Sequence, residues 1–140
     1  DDFKKINDDY GHPTGDRVLV ALAGKCNELI REQDFLARYG GEEFAIILPG
    51  ASLRNAVKKA QHLRKAIAGT RYTRSKTEKG EAISITISIG VSSLAKNDSA
   101  STVIDRADKA LYQAKKAGKN RVVSEAILKA EPADPIPEPH

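Results

Sequence analysis

Between Ile83 and Val91 the chain reads ISITISIGV, with isoleucine or valine at every second position and small polar residues between them. A helix cannot use that pattern, because its faces recur every three or four residues; a period of two specifies a half-buried strand. β-Branched side chains also favour the pleated backbone. The stretch therefore commits the fold to a sheet that other elements must cover.

Elsewhere the apolar spacing changes to three and four. From Thr14 to Gln33, Val18, Leu22, Cys26, Leu29 and Ile30 predict an amphipathic helix, entered through Pro13, Gly15 and Asp16. Leu53, Ala56, Val57, Ala60, Leu63 and Ile67 predict a second, with Ser52 as its N-cap and Gly69 as its stop. A third opens at Ser101 or Thr102 and runs through Ile104, Ala107, Ala110, Leu111 and Ala114 to Gly118. Phe35 to Tyr39 and Phe44 to Leu48 read as two strands joined through GGEE, where glycines permit the positive φ of a tight hairpin. RYTRSKTEKGE is a charged connector with a short edge strand at its start, and RVV is a closing strand. This order predicts an α+β fold, with a mixed central β-sheet flanked by helices.

A length of 140 residues, 40% of them hydrophobic, suits one domain with one core. We place that domain at residues 1–124. Residues 125–140 include EPADPIPEPH, whose four prolines in ten residues suit an extended tail or linker. The absence of Met, and an opening straight into a dense polar motif, read as a segment of a longer polypeptide.

Lys and Arg exceed Asp and Glu by 23 to 19, a net +4 that favours an anionic ligand. The basic residues are dispersed, and three Phe, four Tyr and no Trp offer little to stack on bases, so nucleic acid is not the expected partner. Cys26 has no partner for a disulfide and reads as a reduced core thiol of a cytoplasmic domain. No apolar run approaches the ~20 residues of a membrane-spanning helix, although the chain could still be the cytoplasmic part of a membrane-anchored protein.

Two stretches carry chemistry. RYGGEEF, residues 38–44, sets Glu42 beside Glu43; adjacent carboxylates repel, so a compensating positive charge is expected nearby. DDFKKINDDYGHPTGD gathers Asp1, Asp2, Asn7, Asp8, Asp9 and Asp16 before and into the first predicted helix. If these opening residues leave a strand beside the hairpin, the acids converge into an oxygen-only donor set suited to Mg²⁺. Gly40 and Gly41 would let a nucleotide approach the main chain, and Lys115 and Lys119 would offer counter-charge to phosphates. His12 has no second His or Cys at ligand spacing and reads as a turn or packing residue.

RYGGEEF, FKKINDDYGH with its following GD, SITISIGVS and ADKALYQAKKAGKN, in this order, resemble the GGDEF family of diguanylate cyclases, and the resemblance runs from Asp1 to about Val123. It implies a fold similar to the palm of polymerases and nucleotidyl cyclases, and condensation of two GTP into cyclic di-GMP and two pyrophosphates. It implies that Glu42 and Glu43 bind Mg²⁺, with Mn²⁺ as an alternative, and that Glu42 helps deprotonate the attacking 3′ hydroxyl. Asn7 and Asp16 would hold the guanine edge, with Gly40 and Gly41 as close-approach glycines. The main chain of Asp2, Phe3 and Lys4 would bind phosphates, and Lys115 and Lys119 would reach the terminal phosphate.

The resemblance also implies a catalytic homodimer, because each attack needs a second GTP facing the first, and control by an upstream sensor or receiver domain. Arg31 and Asp34 match the family's inhibitory site for cyclic di-GMP, with His62 and Arg64 as candidates to complete it. The family's other metal-binding aspartate lies two residues ahead of the position of Asp1, on a strand preceded by a helix. Without those elements the chain is expected neither to fold well nor to catalyse. A non-catalytic signalling module that binds GTP or cyclic di-GMP is the alternative.

Overall fold

The computed structural model describes residues 1–73 and 82–126. Their contacts fall into two units, 1–50 with 66–85 and 51–65 with the residues from 86 onward.

In the first unit, α1 (Phe3–Tyr10) and α2 (His12–Leu29) are separated by Gly11 alone, whose φ of 90° lies in the region that glycine tolerates best. Pro13 stands in the first turn of α2, where its missing N–H has no helical partner to lose. Residues Phe3–Tyr10 are helical, and the Asp2 carbonyl accepts from the N–H groups of Lys5 and Ile6 and begins the first turn. Helix α2 also starts two residues earlier than expected and ends at Leu29, because Ile30 is extended and the Asp34 carboxylate takes the N–H of Arg31.

Strands β1 (Phe35–Arg38) and β2 (Phe44–Ile47) pair antiparallel, with Phe35 opposite Ile47 and Arg38 opposite Phe44. Strands β3 (Arg71–Thr73) and β4 (Ala82–Ser84) pair antiparallel, with Tyr72 opposite Ile83. Ile6, Val18, Leu19, Leu22, Cys26, Tyr72, Ile83 and Ile85 are buried.

Helix α3 (Leu53–Ala68) is capped as its sequence predicts, with the Ser52 hydroxyl accepting from Asn55 N–H; its last residues belong to the first unit and the rest to the second. In the second unit, β5 (Ile89–Val91) and β6 (Val122–Ser124) run parallel, and α4 (Ala100–Lys116) packs on β5. Helix α4 begins at a Ser99 and Thr102 capping box, two or three residues before the Ser101 or Thr102 start expected. Ala110 and Ala114 are fully buried, and a Cβ on Gly90 would lie 2.0 Å from the Ala107 carbonyl oxygen, so helix and strand meet backbone to backbone.

The class is α+β, with parallel and antiparallel ladders both present; the described ladders are three two-stranded pairs. ISITISIGV is not one continuous strand. It divides into β4 and β5, which pair with different partners, and residues 85–88 lie in neither ladder. Alternating side chains report which face is buried, not whether a neighbour's N–H and C=O groups stand opposite. Glu125, just past β6, is buried and bonded to Arg106 and Ser93, whereas residues 127–140 and most of the charged connector lie outside the described residues. Among the described residues no helix is long and apolar enough to cross a membrane.

Candidate active site

The β1–β2 tip faces α1 and the start of α2 across a cleft of about 540 Å³ in the first unit. Phe3, Lys4 and Asn7 line it from α1, and His12, Asp16 and Leu19 from α2. Arg38 and the whole Gly40–Glu43 tip complete the wall. The helical spacing explains the first two sets. Residues 3 and 4 lie four and three before residue 7, and 12, 16 and 19 step by four and three, so each set shares a helix face.

The two helices come together because residue 15 is glycine. A Cβ there would sit 1.9 Å from Asn7 Oδ1 and 3.1 Å from Phe3 Cζ, so the α1 side chains press directly on the α2 backbone. In that position Asn7 Oδ1 is buried and has no hydrogen-bond partner. A buried amide oxygen without a donor is costly, and a ligand N–H would satisfy it.

The tip closes on the Glu43 carbonyl, which accepts from Tyr39 N–H at 2.9 Å and Gly40 N–H at 3.2 Å. Neither Gly40 nor Gly41 has φ in the left-handed region, contrary to expectation, because the wider loop turns without it. Their smallness leaves room instead: a Cβ on Gly41 would meet nothing within 4 Å, and one on Gly40 only the Glu43 side chain. Arg38 lines the same cleft, and its side chain bonds to the turn carbonyls. Its Nε donates to the carbonyls of Gly41 at 3.0 Å and Gly40 at 3.3 Å, and its Nη2 also donates to Gly41.

The acids suit a hard cation. Glu42, exposed, and Glu43, half-buried, both line the cleft with oxygen donors only, and Mg²⁺ needs no more than one or two carboxylates when water and phosphate complete its shell. Among the described residues no group of three or more His, Cys, Asp or Glu side chains is arranged to hold a metal alone, so a cation here would have to share its ligands with a bound molecule.

Of the residues expected from sequence, Phe3, Lys4, Asn7, Asp16, Gly40, Gly41, Glu42 and Glu43 meet in this cleft. Asp2 is not in its lining and caps α1. His12, Leu19 and Arg38 line it without having been assigned to it. Arg38 lies within the RYGGEEF motif, but its spacing alone does not tell that its side chain folds back on the turn.

Arg31 and Asp34 form a separate cluster. The Asp34 side chain is wholly buried and accepts from Arg31 Nη2 at 2.7 Å, from Arg31 Nε at 3.1 Å and from the Arg31 N–H at 2.8 Å. Arg31 Nη2 also reaches the Pro49 carbonyl at 3.0 Å. His62 and Arg64 lie in the other unit, where Arg64 donates to Gln61 at 2.9 Å and to Asn120 at 3.1 Å and His62 is exposed. Lys115 and Lys119 also lie there, Lys115 in the last turn of α4 and Lys119 just beyond it at a φ of 65°.

A family model described as "Diguanylate cyclase, GGDEF domain" matches residues 1–121. Diguanylate cyclase DgcP of Pseudomonas aeruginosa is 45% identical over 122 residues, which cover 87% of this chain and 18% of that protein, so the chain spans about a fifth of its length. A solved GGDEF domain of DgcB from Caulobacter crescentus in complex with c-di-GMP superposes with a TM-score of 0.84 at 35% identity, covering 90% of this chain and 73% of that one. The active GGEEF domain of a diguanylate cyclase from Vibrio cholerae gives 0.78 at 37% identity, over 89% of this chain and 77% of that one.

Proposed function

The chain belongs to the GGDEF family, and from that premise we propose that it is the catalytic domain of a diguanylate cyclase, joining two GTP into cyclic di-GMP and releasing two pyrophosphates. The observation that carries the reading is the cleft itself. It joins an acidic, glycine-rich tip to a buried, partnerless Asn7 oxygen beside Asp16.

Guanine presents N1–H and N2–H donors on one edge. Asn7 Oδ1 and the Asp16 carboxylate are acceptors, and a base held between them would relieve the unsatisfied oxygen. The α1 N-terminus, with the main chain of Phe3 and Lys4 and the Lys4 side chain, binds phosphate oxygens. Glu42 takes the proton from the 3′ hydroxyl of the partner nucleotide, whose oxygen then bonds to the α-phosphorus as the bond to pyrophosphate breaks. Glu42 and Glu43 would hold Mg²⁺, which would supply positive charge to offset that on the phosphate oxygens. A second copy, related by two-fold symmetry, presents the other GTP, and the same attack repeated closes the ring.

Cyclic di-GMP returns as an inhibitor at Arg31 and Asp34, exchanging their mutual hydrogen bonds for bonds to its phosphate and guanine. The assignments of Lys115 and Lys119 to the terminal phosphate, and of His62 and Arg64 to the inhibitory site, rest on the sequence pattern alone. So do control by an upstream sensor or receiver domain and a cytoplasmic location.

The test is incubation of the chain, extended upstream by about 30 residues to supply the helix and strand the family carries there, with GTP and Mg²⁺ and chromatography for cyclic di-GMP, with Glu42→Gln as the control. Product that falls by at least about 100-fold in the control supports the reading. Bound GTP or cyclic di-GMP without product would move the assignment to a non-catalytic signalling module.

A further inference from the structure

We propose that Arg38 is the positioning residue of the acidic tip, a clamp that sets the orientation of the two peptide groups from which Glu42 projects. Its kinetic arm rests on the cyclase reading above.

The tip has little else to hold it. Two consecutive glycines form the most permissive backbone a turn can have. A Cβ on Gly41 would find open space, and near Gly40 only the Glu43 side chain comes within contact distance. The hydrogen bonds of Tyr39 and Gly40 to the Glu43 carbonyl fix the two ends of the loop, but they leave the Gly40–Gly41 and Gly41–Glu42 peptide planes free to rotate as units. Arg38 removes that freedom. Its Nε and Nη2 bind the Gly41 carbonyl from one side, and Nε is shared with the Gly40 carbonyl at 3.3 Å.

The rigid fork of a guanidinium suits this task, because two donors held in one plane fix a direction as well as a distance. A trans peptide directs its C=O and N–H oppositely. Drawing the carbonyls of Gly40 and Gly41 towards Arg38 therefore turns the N–H groups of Gly41 and Glu42 to the opposite side and fixes the backbone from which the Glu42 side chain departs. Arg38 also lines the same cleft as both carboxylates.

The clamp separates from direct nucleotide binding by what its loss changes. A residue that binds GTP equally in ground and transition states alters KM, whereas one that positions the reacting acid alters kcat. In the same upstream-extended chain, Arg38→Ala is expected to lower kcat by roughly 10- to 100-fold while KM for GTP stays within about threefold. Backbone ¹⁵N order parameters at Gly41 and Glu42 should fall from about 0.85 to below about 0.6, with the melting temperature unchanged. Arg38→Lys, which keeps the charge but loses the fork, should fall between Arg38→Ala and the wild type in both readouts.

A raised KM with kcat intact would overturn the proposal and make Arg38 a substrate ligand. Unchanged order parameters at Gly41 and Glu42 in Arg38→Ala would overturn it as well. If the wild type makes no cyclic di-GMP while the order parameters still fall in Arg38→Ala, the cyclase reading fails and the clamp stands.

Discussion

Gly15 leaves no space between itself and Asn7: a methyl group on its Cα would stand 1.9 Å from Asn7 Oδ1 and 3.0 Å from its Cγ. The obstacle is the end of a side chain, which can swing aside. Gly15→Ala should therefore cost only about 1–3 kcal/mol of stability, while displacing the one buried oxygen assigned to guanine. We expect GTP affinity to fall by about tenfold or more, the worth of one hydrogen bond to a buried group, as read by calorimetric titration. Affinity that survives would remove Asn7 from the guanine site.

At Gly90 the same substitution meets a different obstacle. A Cβ would lie 2.0 Å from the Ala107 carbonyl oxygen and 2.4 Å from the Leu111 nitrogen, both in the backbone of α4. Neither can rotate away, so α4 must move off β5. Gly90→Ala should cost about 3 kcal/mol or more, clearly exceeding Gly15→Ala in urea denaturation. Equal losses would mean that α4 yields as easily as a side chain.

Arg106 binds two acids at once, giving Nε to Glu125 at 2.6 Å and Nη1 to Asp98 at 2.6 Å. These bonds, with that from Ala95 N–H, hold the Asp98 carboxyl well below its usual range. Burial opposes the charge on Glu125, but Arg106 and Ser93 outweigh it, and that carboxyl is also lowered. A folded pKa below the unfolded value contributes stability above about pH 4, which is lost as the pH falls through the lower folded value. The urea midpoint should therefore drop steeply between pH 4 and pH 2, by about the span over which such carboxylates titrate. In Asp98→Asn the midpoint should be lower at pH 6 and the acid slope shallower. An unchanged slope would place the acid sensitivity elsewhere.

Arg31 gives Nε and Nη2 to Asp34 and Nη2 also to the Pro49 carbonyl, and its side chain is still 43% exposed, so the proposed product contact would engage the same guanidinium. Arg31→Ala should raise the cyclic di-GMP concentration that halves the rate by at least about tenfold, the usual effect of deleting a charged hydrogen-bonding partner. An unaltered inhibition curve would move product control to another surface.

The helices were legible where apolar spacing was regular. Val18, Leu22 and Cys26 are buried on one face of α2 as their three- and four-residue steps predict, and Ser52 caps α3. Helix α1 was not legible, because FKKINDDY buries Ile6 alone and its acids read as a loop. Its existence depends on tertiary contact with Gly15, which no local pattern records. The strand division at residues 85–88 escaped for a related reason: hydrogen-bond partners far away in sequence decide it. The site was legible residue by residue, since Asn7, Asp16 and the GGEE tip do converge, but the convergence needed the α1–α2 contact. Arg38 stood inside the quoted motif, and only the geometry of the turn carbonyls distinguishes it from an ordinary strand residue.

Cys26 is the only thiol in the chain, and burial raises its pKa while shielding it from solvent. A reagent that attacks thiolates must therefore wait for the structure around α2 to open before it can react. The rate at which this one sulfur is modified thus counts opening events without any engineered label. Measured with and without nucleotide, that clock would report how firmly an occupied cleft holds together the helix that carries Asp16.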